Sequence, residues 1–280
     1  MQTILILTDF TDVALQAARY AIQLAKQLHS TRILILNAYQ SLEPVANVPV
    51  TPELPIVQAN PDQLYKDSTS QLELLRKRLE PEAGGLTIST LAEDDILEEA
   101  VKKVVVKENV DLVVAGIADK SNLEKFLIGS HSIRIMENCS YPLVIIPEDA
   151  RMVLPQRVLL AVDFDVLREG KALPGLVAFL NSLQPESLFA VNIAGKEEDA
   201  ATARQDISHL HQLLDKYNTS FHYLDNSNVT EGITEFAAHN NVALIITLHE
   251  KKGILATLFQ KSVSKQLAWN SDVPLLILPA

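Results

Sequence analysis

Two stretches of this chain, far apart in sequence, read almost alike. Pro142 to Pro147 is Pro-Leu-Val-Ile-Ile-Pro, and Pro274 to Pro279 is Pro-Leu-Leu-Ile-Leu-Pro. Upstream, the run from Asp111 to Gly116 matches the run from Ala243 to Leu248. At the two beginnings, Ile4 to Phe10 matches Val158 to Phe164. A repeat this long is a duplicated domain, not a short solenoid unit. Any fold proposed for one half must therefore also suit the other. The 280 residues hold two domains of ordinary size, each with its own core. The boundary is expected near 150, giving domains at 1–150 and 151–280.

Within each copy, short apolar runs alternate with longer stretches of helical period. In copy one the expected strands are 4–7, 33–37, 86–91, 112–115 and 143–146. The expected helices are 12–28, 68–79, 96–108 and 131–138. The first helix carries Val13, Ala17, Ala18, Ala21, Ile22, Ala25 and Leu28 on one face, with Thr11 or Asp12 as its cap. Pro81 and Gly84-Gly85 are expected to end the second helix. Copy two repeats the pattern, with strands at 158–162, 188–192, 221–224, 244–247 and 275–278. Its helices fall near 167–182, 200–217, 230–240 and 262–269. Uninterrupted apolar strands in a βαβ order mean a parallel sheet covered by helices on both faces. The expected fold is α/β, two tandem Rossmann-like domains of five parallel strands each. Met152 to Gln156, in a polar stretch running from Glu148 and containing Pro155, is the expected linker.

The two copies differ in length. Asp9 and Asp163 are 154 positions apart, whereas Asp111 and Ala243, like Pro142 and Pro274, are 132 apart. Copy two is therefore shorter by 22 residues between its first and fourth strands. The proline-rich Ser41 to Pro61 segment of copy one is the candidate for the excess. It reads either as a lid or partner loop over the strand ends or as a tolerated insertion.

Composition narrows the partners. Apolar residues make up 48% of the chain, which supplies buried sheets. A net charge of -11 disfavours a nucleic-acid or anionic-membrane binder, each of which needs a basic face. Neither a signal peptide nor a membrane-spanning run is evident. The single Cys139 has no partner for an internal disulfide, which suits a cytoplasmic location. No nucleophile elbow, Walker loop or Cys/His metal pattern occurs, so the catalytic and metal assignments are none. His209 and His211 do not share a helical face, and His249 beside Glu250 does not make a metal site.

In an open parallel sheet the ligand crevice lies beyond the carboxyl ends of the strands, where strand order reverses. Asp9 follows the first strand, as a hydrogen-bond acceptor for a base or ribose or as part of a helix cap. Gly116 ends the fourth strand and permits close approach of a ligand to the backbone. Gly129-Ser130 opens the last helix, where N–H groups and a hydroxyl suit a phosphate; the alternative there is a serine cap.

These residues carry a resemblance. Gly116-Ile-Ala-Asp119, nine residues, Gly129-Ser130, and then Pro142 to Pro147 resemble the universal stress protein motif. That motif is Gly-x2-Gly-x9-Gly-(Ser/Thr) followed by a Pro-Val-x-Val-Val-Pro-like strand. Thr8-Asp9-Phe10-Thr11 is similar to the family's first-strand segment. The resemblance covers the whole chain as a tandem pair and implies an adenine nucleotide alpha hydrolase-like fold. It implies ATP or AMP as the ligand, although some family members bind no nucleotide. Asp9 would then contact adenine or ribose, and Ala38 would line the adenine pocket. Gly116 would pass close to ribose and phosphates, while Gly129, Ser130 and His131 would hold the phosphates. Asp119 stands where the motif has its second glycine, either repelling phosphate or holding Mg²⁺ beside it.

Copy two departs further. It keeps Asp163, but Thr247 and Glu250 fall at the first two glycine positions. With one extra residue in the loop, Lys261-Ser262-Val263 replaces the Gly-Ser step. The resemblance also implies that the last strands of the copies pair, giving an intramolecular pseudo-dimer, with a homodimer of chains left open. Two functions follow: a stress-response binding protein taking nucleotide in copy one, or a protein-interaction scaffold with vestigial sites. A slow ATPase ranks last, for want of a general base or metal cluster.

Overall fold

A computed structural model of the chain describes residues 1–41, 60–118, 135–136, 140–162, 173–193, 211–224, 228–249, 267 and 271–279. Among these, copy one contributes β1 (Thr3–Leu7), α1 (Asp12–Gln27), β2 (Arg32–Tyr39), α2 (Pro61–Ala83), β3 (Thr87–Asp94), α3 (Leu97–Lys107), β4 (Leu112–Ile117) and β5 (Leu143–Pro147). Copy two contributes β6 (Arg157–Val162), α4 (Leu173–Leu183), β7 (Ser187–Ile193), β8 (Thr219–Leu224), α5 (Val229–His239), β9 (Leu244–His249) and β10 (Leu275–Pro279). The ten strands form one sheet in the order β3-β2-β1-β4-β5-β10-β9-β6-β7-β8. Each half is parallel throughout, as the alternation of runs requires.

The seam between the halves is, among the described residues, the one antiparallel pairing, β5 with β10. Val144 lies opposite Leu276, its own equivalent in the repeat. Leu143 faces Ile277, and Ile145 faces Leu275. This is the reciprocal pattern of a two-fold interface, written within one chain. All six side chains are at most 2% exposed. Left apart, the halves would each present an apolar open edge, and pairing removes both. The expected pseudo-dimer is thus present.

Burial on both faces explains the unbroken apolar strands. One face, carrying Ile4, Ile6, Val114, Val144, Leu160, Ile246 and Leu276, packs under α1, α2 and α4. The other, carrying Leu5, Leu34, Val113, Ile145, Leu159, Ile245 and Ile277, packs under α3 and α5. Both cores run across the seam. Helix α1 is buried over most of its circumference, and its alanines at 14, 17, 18, 21 and 25 let it lie close to the sheet. It also reaches the other copy, because Gln27 Nε2 donates to the Leu183 carbonyl at the end of α4 (3.1 Å).

Several expectations need correcting. Helix α2 begins at Pro61 and runs through Pro81 to Ala83, longer at both ends than the apolar period suggests. Pro81 sits in the last turn, where its missing N–H removes a single helical bond. Gly84, at φ 61°, makes the left-handed stop. The start is set by Pro61 at N1 under an Asn60 cap, a local signal independent of apolar period. In the linker, Met152, Val153 and Leu154 are 41–54% exposed. The helix expected at 200–217 shows, in its described part, helical residues 211–214 and a 3-10 turn at Asp215–Tyr217. Most of the helix at 262–269, most of that at 131–138 and most of the Ser41 to Pro61 segment lie outside the described residues.

Candidate functional site

Strand order fixes where the crevice lies. From β1 the chain steps outward to β2 and β3, then returns to place β4 on the other side of β1. The reversal therefore falls between the carboxyl ends of β1 and β4, where neighbouring connections leave in opposite directions. The β1–α1 turn stands at one side of it, Gly116 of β4 at the other, and Ala38 at the end of neighbouring β2.

The turn is held by its own short side chains. Thr8 N–H donates to the Leu36 carbonyl (2.9 Å), continuing the β1–β2 ladder one residue past the strand. Phe10 N–H donates to Thr8 Oγ1 (3.0 Å), and Phe10 adopts φ 68°, left-handed and uncommon for a bulky residue. Thr11 N–H and Oγ1–H both donate to Asp9 Oδ1, at 3.1 and 2.6 Å. Thr11 Oγ1 in turn accepts from Ala14 N–H (3.2 Å), which makes Thr11 the cap of α1. One oxygen of Asp9 thus orients the cap. Among the described residues its other oxygen, Oδ2, carries no hydrogen bond, and Asp9 as a residue is half-buried at the end of β1.

A second polar group braces the turn. Asn37, near the end of β2, is buried, and its Nδ2 donates to the Thr8 carbonyl (2.8 Å). Ser68 of α2, also buried, donates through Oγ to Asn37 Oδ1 (2.7 Å). One amide therefore ties the ends of β1 and β2 to α2. In the sequence Asn37 is marked only as a lone polar residue closing the apolar run Ile33 to Leu36. At the next strand end, the Ser41 hydroxyl and backbone N–H donate to Asp94. Those bonds, the hydroxyl's first, hold the Asp94 carboxyl below the usual carboxylate range. Beside the turn, between α1 and α2, lies a cavity of about 200 Å³ lined by Thr8, Phe10, Leu15, Leu75 and Arg78.

Gly116 is tightly placed. A Cβ built there would lie 3.0 Å from Val13 Cγ1, 3.0 Å from Val13 O and 3.2 Å from Val13 C. The close approach this glycine permits in the structure is that of the first turn of α1. Ala38 is half-buried against the α3-side core, in register with Glu93 of β3. Asp119, Gly129, Ser130 and His131 lie outside the described residues. The structure therefore brings together Asp9, Ala38 and Gly116, and shows nothing of the phosphate half of the expected site.

The register of copy two corrects the alignment of the repeats. A single offset of 132 relates β4 to β9 and β5 to β10, so the loops between them are equal in length. Gly116 pairs with Ile146 as Leu248 pairs with Leu278. Leu248, not Thr247, therefore holds the first glycine's position, and no extra residue is needed. By the same offset Lys251, not Glu250, matches Asp119. Thr247 takes the place of Ala115; it is fully buried, and its hydroxyl has no hydrogen-bond partner among the described residues. Asp163 and the side chain of His249 lie outside them. Among the described residues no group of His, Cys, Asp and Glu could hold a metal ion. Nor is any described helix long and apolar enough to cross a membrane.

Comparison with known proteins agrees with this geometry. The model of the universal stress protein family matches residues 1–147. A universal stress protein of Methanocaldococcus jannaschii is 26% identical over 143 residues, 51% of this chain and 80% of that one. Among solved structures, a universal stress protein from Archaeoglobus fulgidus superposes with a TM-score of 0.67 at 17% identity, over 98% of this chain and 95% of that one. A protein of unknown function from Pseudomonas aeruginosa superposes with a TM-score of 0.58 at 13% identity, over 100% and 92%. Both cover the two halves together, so the paired-sheet architecture recurs in full.

Proposed function

The chain belongs to the universal stress protein family, and on that premise we propose that it is a stress-response binding protein whose first copy takes an adenine nucleotide, ATP or AMP. The domains are the copies at 1–150 and 151–280, and the location is the cytoplasm. The observation that carries the reading is the Asp9 carboxylate, held at the reversal of strand order by Thr11 with no hydrogen bond to Oδ2 among the described residues. A ribose hydroxyl or adenine amino group is the donor such an acceptor suits. Ala38 offers a small apolar wall beside it. Gly129, Ser130 and His131 would hold the phosphates, with Mg²⁺ beside Asp119 as the companion ion. The nucleotide would supply a recognition signal here; no catalytic step is assigned to the chain.

Isothermal titration with ATP and AMP tests the proposal, using wild type, Asp9→Asn and Gly129→Asp. Asparagine keeps Oδ1 as the acceptor for Thr11, so the cap survives, but replaces the open acceptor with a donor. Binding weakened tenfold or more in both variants is expected. No heat with wild type would overturn the nucleotide reading. The second reading, an interaction scaffold with vestigial sites, is favoured by one observation: packing against Val13 accounts for Gly116 without any ligand.

A further inference from the structure

Copy two contains a cavity of about 260 Å³ at the same end of the sheet as the carboxyl ends of copy one's strands. It lies where β9 and β10 begin, beneath the linker, and Ala237, Val242, Ala243 and Val273 form its apolar lining. Val153 of the linker closes one side, and Arg151 and Asp272 stand at the mouth. The repeat explains why this space exists. By the offset of 132, Val273 corresponds to Tyr141, Ala237 to Val105 and Ala243 to Asp111. Copy one places a tyrosine there, 7% exposed and part of the α3-side core. Copy two has the same backbone elements with three smaller side chains. The chain itself thus shows which group fits this position in the fold: a phenol ring.

We infer that this cavity is a binding site for a small phenolic ligand, independent of the nucleotide reading. Apolar cavities of roughly 150 Å³ already admit benzene, so a hydroxylated ring has room. The ring would lie against Ala237, Val242 and Val273, with its hydroxyl at the mouth, where Arg151 and Asp272 offer a donor and an acceptor. None of the lining residues is Asp9, Ala38 or Gly116, so loss of one site leaves the other readable.

The probe is p-cresol, the free form of the tyrosine side chain. It is titrated into the full chain and followed by methyl NMR of Val273, Val242 and Ala237. Saturable shifts at these methyls are expected, with half-saturation on the order of 1 mM, an ordinary affinity for a ligand this small. Val273→Tyr, which rebuilds the side chain of copy one, should weaken binding at least tenfold. Ala237→Val provides the same test with a smaller change if the tyrosine prevents folding. Shifts that do not saturate, or that persist unchanged in the filled variant, would overturn the assignment.

Discussion

Replacing Gly116 with alanine separates two roles that the sequence alone assigns to one residue. If Gly116 serves only to admit a ligand, alanine leaves the ligand-free protein as stable as before. The structure requires otherwise. The added methyl would meet Val13 Cγ1 and Val13 O at 3.0 Å and Val13 C at 3.2 Å. A side-chain methyl can turn away, but the carbonyl belongs to the first turn of α1, which is pinned by the Thr11 cap and buried along the rest of its length. Overpacking of this kind costs about 1–3 kcal/mol. Alanine recovers about 0.4–1 kcal/mol by restricting the unfolded chain. The net expectation is a loss of about 1–2 kcal/mol, read as a lower urea midpoint at unchanged slope. Val13→Ala in the same chain removes one of the three contacts, so rescue should be partial. A Gly116→Ala protein within about 0.5 kcal/mol of wild type, the ordinary spread of harmless substitutions, would refute the packing role.

Other consequences can be read from the same contacts. Thr11→Ala removes the cap bond to Ala14 and should cost about 1 kcal/mol in chemical denaturation; an unchanged midpoint would mean that Asp9 caps the helix unaided. Leu276→Asp places a charge opposite Val144 at the centre of the seam. It should open the halves to protease in the segment 148–156, and wild-type resistance there would argue against the seam as the main tie. Asp94 and Asp95 are both held below the usual carboxylate range, chiefly by the Ser41 hydroxyl and the Lys103 ammonium respectively. A depressed folded value stabilises fully above the unfolded value near ~4 and is lost as pH falls through the folded one. The stability gap between wild type and Asp94→Asn should therefore be wider at pH 7 than at pH 3; an equal gap would discount the Ser41 bond.

Much of the fold was legible because its signals are local. Apolar runs of strand length gave the described strands, Thr11 was among the expected caps, and Pro142 and Pro274 marked the seam strands. The start of α2 was missed because helical residues 61 to 67 are largely exposed and carry no apolar period. Asn37 was missed because nothing near it in sequence announces Ser68 or the Thr8 carbonyl as partners. The slip from Leu248 to Thr247 conflicts with the offset of 132 that the flanking runs already carry, and strand register agrees with that offset.

By itself, the sequence determined a duplicated α/β domain and a family motif that survives better in copy one, since repetition and periodicity are properties of order along the chain. Tertiary structure decided what those residues meet. Gly116 faces Val13 rather than open space, one oxygen of Asp9 is committed to Thr11, and Val273 lines a cavity while its counterpart Tyr141 is buried in the core. Such contacts join positions up to a hundred or more residues apart, and only the packing of helices on the sheet brings them within reach.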